Sequence, residues 1–287
     1  MADFDPVVSV TGTLASPFVF ASPHSGSTYP QGFVDASRLD PVTLRQSEDA
    51  FVDGLFAATP AYGAPLLKAH FPRAFLDVNR EPWELDPVMF ADPLPPWCNT
   101  RSLKVAAGLG TLARVIRDGT DIYGGPLTLA EAEHRISTLY VPYHRALQDL
   151  LDRAHFDFGC AVLIDCHSMP SVGGPLDQDR GFNRCDFVLG DRYGTACSPI
   201  LTRIAAETLR SMGYRVGRNA PYAGGFCTSH YGAPALGRHA LQIEVNRALY
   251  MNETKVRPGR GFGALASDLT RLVARLTSIR PDILRNP

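Results

Sequence analysis

The chain has 287 residues, enough for one large domain with a substantial core, and its 45% hydrophobic and 20% charged composition is ordinary for a soluble globular protein. Its net charge of −1 gives no general field that would attract nucleic acid or a membrane, so we expect a small-molecule partner; composition specifies no oligomeric state. The six cysteines lack CxxC spacing, the N-terminal segment lacks a signal sequence, and no apolar run reaches the ~18 residues of a membrane helix, which favours a reduced, cytoplasmic protein.

Apolar runs and helical spacings alternate along the chain, which predicts an α/β fold. The predicted strands are PFVFAS (17–22), APLLKA (64–69), RAFLDVN (73–79), AVLIDC (161–166), CDFVLG (185–190), YRVG (214–217) and HALQIEV (239–245). A helix is predicted to begin at Thr128, which forms a capping box with Glu131, and Pro142 is expected to kink or divide it. Further helices are predicted from Ser198 and over residues 264–278.

Two stretches lack clean periodicity and are predicted to be loops. Residues 81–125 are rich in proline and glycine, and we interpret them as a long excursion over the surface that forms an active-site wall. Residues 171–183 resemble a second, mobile loop. No repeat or low-complexity linker occurs, so residues 1–287 are predicted to form a single domain.

Two histidines stand at the carboxyl ends of predicted strands. His24 follows FVFASP, and His167 directly follows AVLIDC. Ligands bind at this edge of open α/β sheets. Imidazole nitrogens and carboxylate oxygens are ligands that Zn²⁺ prefers, so the pattern predicts one zinc ion bound by both histidines. Asp165 shares a strand face with His167 and would orient an imidazole.

The third metal ligand is expected from the acidic pair Glu48-Asp49, since neither HxxE nor HExxH occurs in the chain. If SEDAFVDGLF is helical from Leu44, Glu48 lies in the middle of the apolar stripe, where an unpaired charge is costly. Asp49 then lies at the margin of the stripe, or it caps the helix if the helix begins at this pair. Periodicity therefore favours Glu48 and leaves Asp49 open.

Polar and apolar residues alternate in two further predicted strands. In RAFLDVNR, Asp77 and Asn79 share one face and Arg80 follows, so Asn79 and Arg80 together can hold a carboxylate. In LQIEVNR, Glu244 shares a face with Gln242, and beside a metal ion it would serve as general base and later as proton donor to a leaving amine. The absence of GxSxG argues against a serine hydrolase.

Six segments, in this order, resemble the N-formylglutamate amidohydrolase (deformylase) family: PHSGSTYP, SEDAFVD, DVNREP, IDCHSMPS, PYAGGFCTSHYG and QIEVNRALYMNE. They extend from about residue 17 to residue 255. The resemblance implies a three-layer α/β/α fold with a mostly parallel mixed sheet, similar to that of the zinc carboxypeptidases. It also implies zinc-dependent hydrolysis of N-formyl-L-glutamate to glutamate and formate, a reaction best known in histidine degradation.

The resemblance assigns roles to single residues. It makes His24 and His167 zinc ligands and places Asp49, rather than Glu48, at the acidic position of the family, and we follow it because the helix start assumed above is unverified.

The catalytic and substrate-binding residues follow from the same resemblance. Asn79-Arg80 is similar to the carboxypeptidase pair that grips a substrate carboxylate, and Glu244 is similar to the catalytic glutamate of those enzymes. His230, in TSHYG, is given an oxyanion or substrate role.

Substrate identity depends on two further features. N-formylglutamate has two carboxylates, so a second cation is expected, and Arg184 and Arg247 are the candidates. The chain has Ser47-Glu48-Asp49-Ala50 where strict formylglutamate enzymes tend to have Asp-Thr-Asp-Trp. This leaves a deacylase or carboxypeptidase-like hydrolase of another N-acyl amino acid or peptide as the first alternative. A non-catalytic metal-binding protein is the alternative from another class.

Overall fold

In the residues that the structure describes, the strands form one seven-stranded sheet and one small hairpin. The computed structural model describes residues 7–116, 119–175 and 177–285. The sheet strands are β1 (Val8–Thr11), β2 (Phe18–Ser22), β3 (Leu66–Ala69), β4 (Ala161–Met169), β5 (Phe187–Gly190), β6 (Val216–Arg218) and β7 (Arg238–Asn246). The hairpin pairs β8 (Met251–Asn252) with β9 (Arg257–Pro258).

Ten α-helices connect and cover these strands in the described ranges. The longest are α6 (Val141–Phe158), α7 (Pro199–Ser211) and α9 (Phe262–Thr277). The shorter ones are α1 (Gln31–Ala36), α2 (Pro41–Arg45), α3 (Val52–Leu55), α4 (Leu103–Ala106), α5 (Leu129–Arg135), α8 (Phe226–Tyr231) and α10 (Asp282–Arg285). Across the ranges that the structure covers, no helix is long and apolar enough to span a membrane.

The sheet is mixed but mostly parallel. Its strand order is β1-β3-β2-β4-β7-β5-β6. The central strands β3, β2, β4 and β7 run parallel, β1 is antiparallel to β3, and β5 is antiparallel to β7. All nine residues of β4 are buried, which is typical of a parallel strand with both faces covered. The predicted α/β class is therefore confirmed.

Helices cover both faces of the sheet because alternate strand residues point to opposite sides. On β2, Val19 and Ala21 belong to a hydrophobic cluster that includes the buried face of α6. Phe18 and Phe20 belong to a second cluster that includes the buried residues of α7 and α9. The sheet therefore lies between two helical layers, and its carboxyl-terminal edge remains available for a site.

Local sequence signals located several elements correctly. Thr128 accepts a hydrogen bond from the backbone N–H of Glu131, and the Glu131 side chain accepts one from Thr128, so the predicted capping box begins α5. The helix is divided where expected, by a π-helical turn over Ile136–Tyr140 just before Pro142. Proline lacks an N–H and clashes with the carbonyl four residues earlier, which disrupts the regular helix there.

The prediction of a strand over residues 73–79 is wrong. The N–H groups of Phe75 and Leu76 both donate to the carbonyl of Pro72, so the chain coils locally. The next residue, Asp77, donates its N–H to Thr111 in the 81–125 excursion and not to a strand. Alternation alone could not distinguish this buried turn from a strand.

The helix assumed from Leu44 is also interrupted. Helix α2 ends at Arg45, and the next helix, α3, begins only at Val52. Phe51, between them, adopts a left-handed conformation with φ 66°. Asp49 lies in this connection and donates its N–H to the carbonyl of His24. The periodicity that favoured Glu48 assumed a continuous helix from Leu44, and the chain forms no helix at residues 46–51.

Candidate active site

Two imidazoles meet at the carboxyl-terminal edge of the sheet. His24 lies two residues beyond β2, and His167 lies near the end of β4. Because β2 and β4 are adjacent and parallel, both histidines reach the same edge. Their ring centroids are 4.8 Å apart and both side chains are almost fully buried.

Asp49 places one carboxylate oxygen between the two rings. Its Oδ2 lies 3.3 Å from Nδ1 of His24 and 3.0 Å from Nδ1 of His167. Donor atoms about 2.0–2.1 Å from zinc at tetrahedral corners are about 3.3 Å apart, so the observed spacing suits such an ion. The described ranges contain one group of at least three metal-ligating side chains with this proximity, and it consists of these three residues.

The outer nitrogen of each imidazole lies beside a carboxylate. Nε2 of His24 is 2.8 Å from Oδ1 of Asp77, and Nε2 of His167 is 3.0 Å from Oδ2 of Asp165. The second contact is an ion pair by distance but lacks hydrogen-bond alignment, so the Asp165 carboxylate is buried without a hydrogen bond among the described residues. Carboxylates behind histidines are the usual support of metal-ligating imidazoles.

Electrostatics in this cluster also fit a cation. Burial alone would raise the pKa of Asp49, but hydrogen bonds from His167 and His24 hold that pKa well below its usual range. Burial would lower the pKa of His167, whereas Asp165 and Asp49 raise it well above its usual value. The carboxylates of Asp49 and Asp165 thus favour positive charge between them. Protons on the imidazoles or a divalent ion can provide that charge.

Glu48 points away from this cluster. One of its oxygens accepts hydrogen bonds from the Tyr29 hydroxyl at 2.8 Å and from Nε of Arg45 at 2.9 Å. Its buried carboxylate is therefore already compensated by a neighbouring cation. Of the two acidic candidates, only Asp49 reaches the histidines.

Glu244 faces His167 across two paired strands. The two residues are partners in the parallel register of β4 and β7. The Gln242 side chain donates a hydrogen bond of 2.8 Å to Oε1 of Glu244 and so orients the carboxylate. Burial raises the pKa of Glu244 to about 7, against the opposing charge of His167. A carboxylate with this pKa can both accept and return a proton near neutral pH.

Asn79 connects the site to the PYAGGF segment. Its Oδ1 accepts a hydrogen bond from the N–H of Cys227, and its Nδ2 lies 3.2 Å from Nε2 of His167. A methyl group on Gly225 would lie 2.4 Å from Nδ2 of Asn79, so the backbone can approach this closely only because Gly225 has no side chain.

Arg80 lies next to the cluster but is partly held by the backbone. Its Nε donates to Leu109 and its Nη1 to the carbonyl of Asn79, while its Nη2 lies 4.0 Å from Oδ2 of Asp77. Its side chain is 12% exposed, so a small part of it is accessible to solvent.

Arg73 belongs to the site although the sequence analysis did not select it. Its Nη2 donates to Oδ2 of Asp77 at 2.8 Å, and its Nη1 is 3.9 Å from Oδ2 of Asp49. The side chain is 25% exposed. The sequence signal for Arg73 is its four-residue spacing from Asp77. Residues four apart come close together where the chain turns, as it does here, whereas in a strand they lie far apart.

The other two arginines are already fully engaged. Arg247 donates to Oδ1 of Asp49, to Ser168 and to the carbonyl of Gln46. It therefore lies in the cluster, where it holds the Asp49 carboxylate. Arg184 binds both Asp177 and Asp179 and the carbonyl of Pro170. Each guanidinium is buried, so neither is accessible to a substrate in this arrangement.

His230 does not join the histidine cluster. It is exposed on α8 and its ring stacks on Phe226 at a centroid distance of 4.9 Å. Its other ring contact is Tyr231. The structure thus brings together His24, Asp49, His167, Glu244, Asn79, Arg80 and Arg247, and places Glu48, Arg184 and His230 outside the cluster.

Comparison with known proteins identifies the family of the chain. The family model described as N-formylglutamate amidohydrolase matches residues 16–251. The chain belongs to the N-formylglutamate amidohydrolase family. An N-formylglutamate deformylase from Pseudomonas aeruginosa is 30% identical over 90% of both chains. One from Pseudomonas putida is 28% identical over 83% of both chains. The resemblance found in the sequence motifs is confirmed.

Two solved structures are similar to this chain, and one of them bears the name of the same family. An N-formylglutamate amidohydrolase from Ralstonia eutropha JMP134 is 36% identical, with a TM-score of 0.87 over 97% of this chain and 98% of that one. A gene product from Agrobacterium tumefaciens has a TM-score of 0.67 at 20% identity over 95% and 94% of the two chains, which shows a shared fold alone. The match to the amidohydrolase family model includes every residue of the cluster.

Proposed function

We propose that this protein is a zinc-dependent amidohydrolase that converts N-formyl-L-glutamate to glutamate and formate. The observation that carries the proposal is the buried group of His24, Asp49 and His167 with the Glu244 carboxylate opposite His167. The substrate follows from the relatives that are named for N-formylglutamate. We also propose that the fold is of the zinc carboxypeptidase-like type. A cytoplasmic role in histidine degradation remains a prediction from the sequence.

Three atoms would hold the metal: Nδ1 of His24, Nδ1 of His167 and Oδ2 of Asp49. When bound, zinc supplies a Lewis acid that polarises a carbonyl and acidifies water. Asp77 and Asp165 keep the outer nitrogens of the imidazoles oriented, and Arg247 holds the second oxygen of Asp49. These supports limit the rotation of each ligand before the metal arrives.

Glu244 carries the proton transfers in this mechanism. Its carboxylate takes a proton from the attacking water as the oxygen bonds to the formyl carbon. It then delivers that proton to the amine nitrogen as the carbon–nitrogen bond breaks. The pKa of about 7 that burial gives Glu244 suits both steps. Gln242 keeps the carboxylate aimed at the same position in each step.

Arg73 and Arg80 handle negative charge on the substrate. Arg73 is partly exposed and lies within electrostatic range of Glu244, so it can stabilise the charge that develops on the carbonyl oxygen. Arg80 would bind the α-carboxylate of the substrate through the part of its side chain that is accessible to solvent. Asn79 accepts a hydrogen bond from the N–H of Cys227 and contacts the ring of His167. We therefore assign it the role of positioning Cys227 and His167 relative to each other.

The test combines metal analysis with product release. Metal-free protein is titrated with zinc, and formate release is measured with N-formyl-L-glutamate beside the N-acetyl and N-succinyl analogues. We expect activity to require about one zinc per chain and to be highest with the formyl compound. Full activity after complete metal removal contradicts zinc dependence, and zinc binding without turnover on the panel favours a non-catalytic protein. Faster hydrolysis of a larger acyl group favours the deacylase alternative.

A further inference from the structure

We propose that Lys104 binds the side-chain carboxylate of the substrate and so selects an acidic N-formyl amino acid. The inference rests on the proposed function, because it assigns the second carboxylate of a dicarboxylate substrate. Arg80 is the cation for the first one.

The site needs a cation that is not already neutralised. Arg184 and Arg247, the two candidates from the sequence, are buried and held by aspartates. To admit a substrate, Arg247 would have to leave the buried Asp49 carboxylate, which is costly, and Arg184 would have to break ion pairs with both Asp177 and Asp179. Binding of the second carboxylate is therefore expected elsewhere.

Lys104 meets this requirement. Within the part of the chain that the structure covers, its ammonium group has no hydrogen bond or ion pair with another side chain. It is exposed to solvent and lies on the short helix α4, which Ser102 caps by accepting a hydrogen bond from the N–H of Val105. A lysine in this state can bind an incoming anion without first losing a partner.

The backbone ties Lys104 to Arg80. The carbonyl of Lys104 accepts a hydrogen bond of 2.8 Å from the N–H of Leu109. The carbonyl of Leu109 in turn accepts one of 3.0 Å from Nε of Arg80. Two consecutive hydrogen bonds thus fix α4 against the arginine that we assign to the α-carboxylate.

The charged groups that act on Lys104 include three residues of the site, Arg80, Arg73 and Asp77. Although its side chain is accessible, the surrounding protein lowers its pKa, and Arg80 and Arg73 lower that pKa further. Asp77 and Asp177 act in the opposite direction. Lys104 is therefore repelled by Arg80 and Arg73, and a second substrate carboxylate would relieve that repulsion.

The experiment compares two substrates that differ only in charge. N-formyl-L-glutamine has nearly the same shape as N-formyl-L-glutamate but lacks the second carboxylate. For Lys104→Met we expect kcat/KM for the glutamate compound to fall about 10- to 100-fold, mainly through a higher KM, because a charge-assisted contact is lost. The loss for the glutamine compound should be at least tenfold smaller.

Two controls and a binding measurement accompany the substrate pair. Lys255→Met removes another exposed lysine, in the turn between β8 and β9, and should leave both substrates unaffected. Lys104→Arg keeps a cation and should retain part of the preference for glutamate. In a Glu244→Gln background, Lys104→Met should weaken calorimetric binding of N-formyl-L-glutamate by a similar factor.

The outcomes separate this inference from the function on which it rests. If the wild type hydrolyses both compounds equally well, or if Lys104→Met loses the same factor on both, Lys104 does not read the side chain and the hydrolase proposal stands. If the wild type releases formate from neither compound, the proposed function itself is wrong and the assignment of Lys104 is wrong with it.

Discussion

At the scale of single residues, the partner of each carboxylate determines what that carboxylate can do. Glu48 and Asp49 are neighbours in sequence and both are buried, yet Glu48 pairs with Arg45 while Asp49 faces two imidazoles. A buried carboxylate that already has a cation has little tendency to bind another. The two residues therefore form a matched pair for testing the proposed metal site.

The first prediction uses this pair. Asp49→Asn should weaken zinc affinity by at least about tenfold, because it removes a charged oxygen that both histidines face. Glu48→Gln should keep the metal and show only a loss of stability from its broken pair with Arg45. Zinc affinity is measured by competition with a chelator of known strength. Loss of metal in Glu48→Gln with retention in Asp49→Asn would reverse our assignment.

The second prediction concerns Glu244. Glu244→Gln preserves the shape of the side chain and its contact with Gln242 but removes the base, so kcat should fall about 10²- to 10⁴-fold. Zinc content should stay at the wild-type level because the ligands are untouched. Steady-state kinetics and metal analysis on the same preparation check both statements. A near-normal kcat would require another base.

At the scale of elements, adjacent parallel strands and one glycine, Gly225, assemble the site. β2, β4 and β7 deliver His24, His167 and Glu244 to one edge because adjacent parallel strands end at the same side. The start of α8 then closes on Asn79, and Gly225 permits that contact. Small displacements of α8 are therefore expected to reach the imidazole of His167 through Asn79.

The third prediction tests this contact. In Gly225→Ala the new methyl group would lie 2.4 Å from Nδ2 of Asn79, so either α8 or the amide must move. We expect kcat/KM to fall about 10- to 100-fold, as for other displacements of this size near reacting groups. Gly263→Ala is the control, since its methyl group meets nothing within 4 Å. It should keep full activity and gain up to about 1 kcal/mol of stability in α9. Equal activity in both variants would exclude the proposed contact.

At the scale of the whole molecule, His144 joins three separate parts of the chain. From α6 its Nε2 donates to the carbonyl of Val78, next to the site, and its Nδ1 accepts from the hydroxyl of Tyr231 on α8. A carbonyl only accepts, so the neutral ring carries its hydrogen on Nε2. Burial lowers the pKa of His144 to about 4, and the bond to Val78 opposes this only in part.

The fourth prediction follows from that pKa. The unfolded chain protonates this histidine near pH 6.5, whereas the folded protein does so only near pH 4. The free energy of unfolding should therefore be fully retained above pH 6.5 and fall as the pH drops toward 4. The loss between pH 7 and pH 5 should be about 2 kcal/mol from this residue.

Urea unfolding of the wild type and of His144→Gln, in the same metal state at pH 7 and pH 5, measures this contribution. Glutamine can still donate to Val78 but does not titrate, so its stability should depend less on pH by about the predicted amount. An identical pH dependence of the two proteins would show that another group controls acid unfolding.

Sequence by itself determined the features that depend on near neighbours. Apolar runs indicate the buried strands, the Thr128 capping box indicates the start of α5, and strand-end positions indicate the two histidines of the cluster. Each depends on hydrogen bonds or side-chain faces within a few residues, so spacing carries the information. The ordered motifs added the family, which the comparisons confirm.

Only the tertiary structure decided which charged groups share the site. His24 and Asp49 are 25 residues apart in sequence, and His167 lies 118 residues from Asp49. The folded structure determines which partners each charged group has. This distinguishes Asp49 from Glu48, brings Arg73 into the site and leaves the ammonium group of Lys104 unpaired among the described residues. Periodicity could not predict these pairings. It led us to expect a helix over residues 44–55 and a strand over residues 73–79, where the chain instead contains turns. The pairing of charges over long separations is set by the sheet order and by the turns that close on its edge.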